Sequence, residues 1–116
     1  MRGISEADHS KIQTVKEYLS RYLPANENYR TLEELNTEYA KQQRERSNKI
    51  MAEVETAIAL LEVSRGKTII EKRFILGEPW KYIYKNMDIS RDTGYTYYRK
   101  AMLQLYDCMV QKGIIS

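Results

Sequence analysis

The chain has 116 residues, of which 42% are hydrophobic and 30% charged, with a formal net charge of +3. This composition is too apolar for a disordered chain and too charged for a membrane protein. One cysteine, Cys108, and one histidine, His9, exclude a disulfide framework, a zinc finger and most histidine-based catalysis. Because the chain has only two prolines and five glycines, we expect few turns and mainly helices.

The charge is unevenly distributed along the chain. Residues 1–65 hold ten basic and eleven acidic side chains, a net charge of −1, whereas residues 66–116 hold nine basic and five acidic ones, a net charge of +4. Such an offset is a reason to look for an anionic partner of the basic half. Chance scatter of surface charge explains the same numbers, so charge alone does not decide.

The N-terminal half predicts helices separated by a turn. Ser5 begins a pattern that resembles a capping box, and apolar residues follow at helical spacing until Pro24, where we expect the first helix to end and a polar turn to begin. Thr31 begins a second capping box. No Pro or Gly interrupts residues 31–65. Two interpretations remain: one helix about 50 Å long, or two helices of which the second is capped at Ser47.

The middle of that stretch is strongly polar. Residues 41–48 contain no aliphatic side chain, so we expect them to lie in solvent or against a partner rather than in a core. A solvated helix face and a self-associating coiled coil both explain this pattern.

After Gly66, the remaining residues predict three shorter helices, at about residues 67–76, 80–86 and 91–111. Gly77-Glu78-Pro79 predicts the first turn and Asp88-Ile89 the second. Ser90 is an N-cap candidate for the last helix, and Gly113 ends it.

A short helix, a turn of about three residues and a longer helix that begins with polar residues is the pattern of a helix-turn-helix. The second helix of such a motif enters the major groove, whose width of roughly 12 Å admits one helix. On that helix and its cap we expect DNA contacts from Ser90, Arg91, Asp92, Thr93, Tyr95, Thr96 and Arg99. Three lysines are placed to contact phosphate, namely Lys81, Lys85 and Lys100. A plain helical hairpin produces the same pattern.

Three segments carry a family resemblance: Trp80-Lys81-Tyr82-Ile83, Met87-Asp88-Ile89-Ser90-Arg91-Asp92 and Tyr97-Tyr98-Arg99-Lys100-Ala101-Met102-Leu103. They resemble the region-4 helix-turn-helix of sigma-70-type factors and, more closely, the ArpU/RinA-like family of phage late-gene transcription regulators. The resemblance covers about residues 53–107. It implies sequence-specific binding to double-stranded DNA in a bacterial cytoplasm. Because a single module of this size buries little DNA surface, we also expect a second copy of the chain, joined through the N-terminal helices, or RNA polymerase as a partner.

The chain departs from the family pattern at three positions. Tyr84 lies where such motifs usually have alanine, and Gly94 lies where an apolar core residue is expected. The Tyr84 ring therefore holds the two helices further apart, turns outward, or fills the space that the absent side chain at Gly94 leaves. Asp88 replaces the usual turn glycine, and this substitution costs conformational free energy if the backbone at residue 88 is left-handed. Trp80 and Tyr98 are expected in the core.

We therefore predict an all-α protein with an N-terminal helical arm, residues 1–48, and a helix-turn-helix domain of the sigma-70 region-4 type, residues 49–116. The favoured function is regulation of phage or prophage late genes. A small terminase-like DNA-packaging protein and a helical protein-interaction module remain open. No acidic residue pairs with His, Ser or Lys in a pattern typical of catalysis, so we expect neither an enzyme nor a metal or other cofactor.

Overall fold

The computed structural model describes residues 5–116, and within that range it contains helices and no strand. The helices are α1 (Glu6–Leu19), α2 (Tyr22–Leu32), α3 (Glu38–Ile58), α4 (Arg65–Ile70), α5 (Trp80–Met87) and α6 (Arg91–Gln111). The backbone of α4 continues into a π-helical segment, Glu71–Ile75. The prediction of an all-α protein is confirmed. None of the described helices is both long enough and apolar enough to cross a membrane.

Serine and threonine caps determine where four of these helices begin. Ser5, Thr37, Ser64 and Ser90 each accept a hydrogen bond of 3.1 Å from the backbone N–H three residues later. Each bond satisfies one of the first backbone donors of a helix, which have no acceptor within the helix itself. The predicted caps at Ser5 and Ser90 are confirmed.

Two boundaries predicted in the N-terminal half are wrong. α1 ends at Leu19, and Pro24 is the third residue of α2 rather than the end of α1. Proline is tolerated in a first helical turn because the N–H that it lacks has no partner there. Thr31 lies in the last turn of α2, where its hydroxyl donates to the carbonyl of Glu27. Because its hydroxyl bonds back within α2, Thr31 does not cap a new helix, and the next helix begins after the cap at Thr37.

α3 is one continuous helix through the polar stretch, so Ser47 does not begin a new helix. Ser47 is 3% exposed and accepts a 3.1 Å hydrogen bond from the side-chain amide of Asn28 on α2. The guanidinium of Arg44 donates to the carbonyls of Leu32 and Leu35, where α2 ends. Where Arg44 and Ser47 make these contacts, the polar stretch of α3 therefore packs against α2 and its C-terminal end in the same chain.

A single buried cluster joins α1 to the C-terminal helices. From α1 it takes Val15 and Leu19. Its other members are Val54, Ala57, Ile58, Leu61, Ile69, Ile70, Phe74, Ile83, Tyr98, Ala101, Met102, Leu105 and Met109. The predicted boundary between residues 48 and 49 falls inside α3, and α1 shares its core with residues beyond that boundary. The division of the chain into an N-terminal arm and a C-terminal domain stays a prediction.

The sequence predicts that a helix begins after Gly66, but Gly66 is the second residue of α4. Its role is close approach between helices. A Cβ at this position would lie 2.7 Å from the carbonyl oxygen of Tyr97 and 2.7 Å from the Cβ of Ala101, both on α6. α4 and α6 can therefore pack at this distance only because residue 66 has no side chain.

The short helix α5 is held in place at both ends. Before it, Arg73 in the π-helical segment donates a 3.2 Å hydrogen bond to the carbonyl of Glu78, and its guanidinium lies 4.9 Å from the ring centroid of Trp80. Pro79 is the N-cap of α5. After it, Asp88 adopts the left-handed conformation with φ of 55°, as the tight turn requires.

Tyr84 of α5 packs over Gly94 of α6. A Cβ at Gly94 would lie 2.6 Å from Cδ1 of Tyr84 and 3.3 Å from Cδ1 of Ile89. Of the alternatives for Tyr84, the one found is that its ring fills the space left by the absent side chain at Gly94. This contact determines how closely α5 approaches the first turns of α6.

Replacing Gly66 by alanine tests the approach of α4 to α6. We expect Gly66→Ala to lower the free energy of unfolding by about 1–3 kcal/mol, because the new methyl group meets a backbone carbonyl that cannot turn aside. Urea unfolding followed by circular dichroism measures the change. Helix propensity alone favours alanine by up to about 1 kcal/mol, so a variant more stable than the parent would contradict this packing.

A double-mutant cycle tests the contact between Tyr84 and Gly94. We expect Gly94→Ala to destabilise the parent and to stabilise the Tyr84→Ala variant, because the ring is then absent and alanine favours the helix. The coupling free energy should be about 1–3 kcal/mol. Urea unfolding of the four proteins measures it, and additivity within about 0.5 kcal/mol would show that the two residues do not meet.

Candidate nucleic-acid interface

Hydrogen bonds within α6 organise its first turns. Ser90 accepts from the backbone N–H of Thr93 and donates to the hydroxyl of Thr93 at 2.9 Å. The hydroxyl of Thr96 donates to the carbonyl of Asp92 at 3.0 Å. The hydroxyl groups of Ser90 and Thr93 are paired with each other, and the Thr96 hydroxyl keeps acceptor capacity for a ligand.

Eight of the ten predicted contact residues are exposed. They are Lys81, Lys85, Ser90, Arg91, Asp92, Thr93, Thr96 and Lys100. The other two, Tyr95 and Arg99, are half-buried. The buried face of the same helix turns is formed by Gly94 and Tyr98, so one side of α6 is packed while the other presents polar side chains to solvent.

Two adjoining depressions bring part of this set together. Arg91, Asp92, Tyr95 and Thr96 line a groove of about 450 Å³ together with Tyr84. Lys81, Arg91 and Tyr95 also line a second cleft of about 620 Å³. The other five predicted contact residues line neither depression: Lys85, Ser90, Thr93, Arg99 and Lys100.

Arg99 is less available than the sequence pattern predicts. Its guanidinium lies 5.9 Å from the ring centroid of Tyr95. Its Nη1 atom is buried and makes no hydrogen bond to any described residue. The side chain therefore covers Tyr95 in this structure, and only its remaining nitrogens could contact a phosphate.

The aromatic residues behind this surface form a connected group. Tyr98 is 7% exposed, which confirms its predicted place in the core, and burial raises its pKa to about 12. Trp80 meets Tyr98 edge to face with ring centroids 4.9 Å apart and stacks on Tyr84 at 5.9 Å. Trp80 packs against the core but stays half-buried, so it is only partly the core residue that was predicted.

Sequence reasoning missed one cationic residue at this surface. Lys16 on α1 lines the second cleft with Lys81 of α5 and Arg91 of α6. No signal near Lys16 in the sequence indicates this, because 65 residues separate it from Lys81 and the meeting depends on how α1 packs against α6.

The cations at this surface are free of ion pairing within the described residues. The salt bridges among the described residues join Arg21 to Glu53 and Lys72 to Glu78, and neither lies at this surface. Asp92 is the acidic residue among those that line the two depressions. No group of three or more His, Cys, Asp or Glu side chains in residues 5–116 is arranged to hold a metal ion.

Comparison with known proteins does not identify a relative. No protein-family model, no curated protein and no solved structure matches this chain. The resemblance to phage late-gene regulators therefore stays a prediction.

Proposed function

We propose that this protein binds double-stranded DNA in a sequence-specific manner through α5, the turn at residues 88–90 and α6, and that it regulates phage or prophage late genes in a bacterial cytoplasm. In this proposal α5 and α6 act as a helix-turn-helix of the sigma-70 region-4 type. The family and the regulated genes come from the sequence resemblance alone.

The observation that carries the proposal is the division of α6 into a packed face and a polar face. Gly94 and Tyr98 are buried, while Arg91, Asp92 and Thr93 are exposed at the end of the helix that a helix-turn-helix presents to DNA. Arginine can pair with two acceptors on guanine, and the shorter polar side chains can contact base edges or phosphate.

Charge supports the same surface. Residues 66–116 carry a net charge of +4, and Lys81, Lys85 and Lys100 are exposed on the two helices. Cations at this position release counterions from DNA on binding, which is the sequence-independent part of the affinity. A single small module buries little DNA surface, so useful affinity calls for a second copy or another DNA-bound protein.

The hairpin of α2 and α3 is our candidate for that further contact. Its connection and adjoining residues expose Leu35 and Tyr39, at 51% and 68% of their surface, and Leu23 is exposed on α2. Exposed apolar side chains such as these suit a homo-oligomer or a contact with RNA polymerase. Assembly into a large ring in solution would instead favour a DNA-packaging protein.

Selection from a random duplex pool at physiological salt tests the proposal. We expect enrichment of one sequence, and we expect Arg91→Ala to relax the preference at one base pair at a cost of about 1–3 kcal/mol. Lys49→Gln, at an exposed position on α3, is the control and should select the same sequence. A pool without enrichment would contradict sequence-specific binding and leave packaging or protein interaction.

The lysines should behave differently from Arg91. We expect Lys85→Gln and Lys100→Gln each to weaken binding to all duplexes alike and to reduce the slope of log affinity against log salt by about 0.9. Fluorescence anisotropy at several salt concentrations measures the slope. If Lys49→Gln lowers the slope as much, the duplex is not bound at α5 and α6.

A further inference from the structure

The cleft of about 620 Å³ lies where α1, α5 and α6 meet, and four aromatic rings line it. They are Trp80, Tyr84, Tyr95 and Tyr98. The planes of Trp80 and Tyr84 differ by 28°, while Tyr98 meets Trp80 at 76°. Trp80 thus stacks on Tyr84 and meets Tyr98 edge to face, so the rings that line the cleft form one connected aromatic group. A surface of this kind offers ring contacts to a flat, aromatic ligand.

The other lining residues are all cationic. Lys16, Lys81 and Arg91 come from three different helices, and the described lining contains no carboxylate. Burial raises the pKa values of Tyr84 and Tyr98, the latter to about 12. Both phenols therefore stay neutral at physiological pH and do not repel an anion. Asp92 lies in the adjoining groove.

We propose that this cleft binds one unpaired nucleotide, with the base against the aromatic rings and the phosphate against the three cations. The aromatic rings alone, or the cations alone, would suit many ligands. A nucleotide suits both because it joins a flat aromatic base and an anionic phosphate in one molecule. The volume lies within the range of about 300–1,000 Å³ that is typical of small-molecule sites.

The nucleotide has to be unpaired because a base within a duplex has both faces covered by its neighbours and cannot lie against the rings. The site shares Lys81, Arg91 and Tyr95 with the proposed duplex interface, but Lys16 and Trp80 belong to the cleft alone. The inference therefore does not depend on duplex recognition. Its ligand is either a free nucleotide or an unpaired nucleotide in a single strand.

Trp80 provides the measurement, because it is the only tryptophan of the chain and it lines the cleft. We expect dAMP or a single-stranded deoxyadenylate hexamer to quench its emission to saturation. Deoxyadenosine and inorganic phosphate, which each supply half of the ligand, should bind at least tenfold more weakly than the tighter of those two probes.

Variants locate the ligand. Lys16 is exposed on α1, so Lys16→Gln should leave the fold intact and weaken binding by about tenfold, as expected when one charge-assisted contact is lost. Lys49→Gln, again exposed and away from the cleft, should bind like the parent. Tyr95→Leu should weaken binding because it removes a ring, whereas Tyr95→Phe should retain it.

The outcomes distinguish a free nucleotide from a single strand, and they distinguish failure of this inference from failure of the proposed function. Saturation by dAMP supports a free nucleotide, and saturation by the hexamer alone supports a single strand. If neither probe saturates, or if Lys16→Gln binds as tightly as Lys49→Gln, the inference is overturned. Loss of duplex selection with intact dAMP binding would contradict the proposed regulator and leave the cleft site standing.

Discussion

The packing of α6 against α1, α4 and α5 is the constraint on which the rest of the structure depends. Five residues of α6 belong to the buried cluster, and their burial determines the rotation of the helix about its axis. The close approach at Gly66 and the ring of Tyr84 over Gly94 permit little movement of α4 and α5 along it. Once α6 is held in this rotation, Arg91, Asp92 and Thr93 have to face solvent, so the candidate interface follows from the core.

Two kinds of surface then lie side by side on α5 and α6. The groove with Asp92 and Thr96 offers mixed donors and acceptors, which suit the edges of bases. The cleft with Trp80 and Lys16 offers ring faces and cations, which suit an exposed base and its phosphate. Tyr84, Arg91 and Tyr95 line both. Ligands at the two sites would therefore compete for the same side chains or be bound together through them.

Local signals predicted the C-terminal half well. Ser90 caps α6 because its side chain and the N–H of Thr93 are three residues apart, a distance that needs no tertiary structure. The same reasoning failed at Thr31, which has an equally good capping pattern but lies within a helix that began earlier. It also failed at Ser47, because a buried contact with Asn28 uses the hydroxyl that was expected to cap. Short-range patterns compete with packing, and packing prevailed at both positions.

The amino-acid sequence by itself determined the helical class, the caps at Ser5 and Ser90, the turn between α5 and α6 and the polar character of the first turns of α6. Each depends on residues within a few positions of one another. Only the tertiary structure decided that Lys16 joins the cleft, that Arg99 covers Tyr95 and that α1 shares the core of the C-terminal helices. Lys16 and the core residues of α1 are far in sequence from the C-terminal residues that they contact, so these contacts depend on how α1 packs. Arg99 is only four residues from Tyr95, but the sequence pattern does not show that its Nη1 is buried.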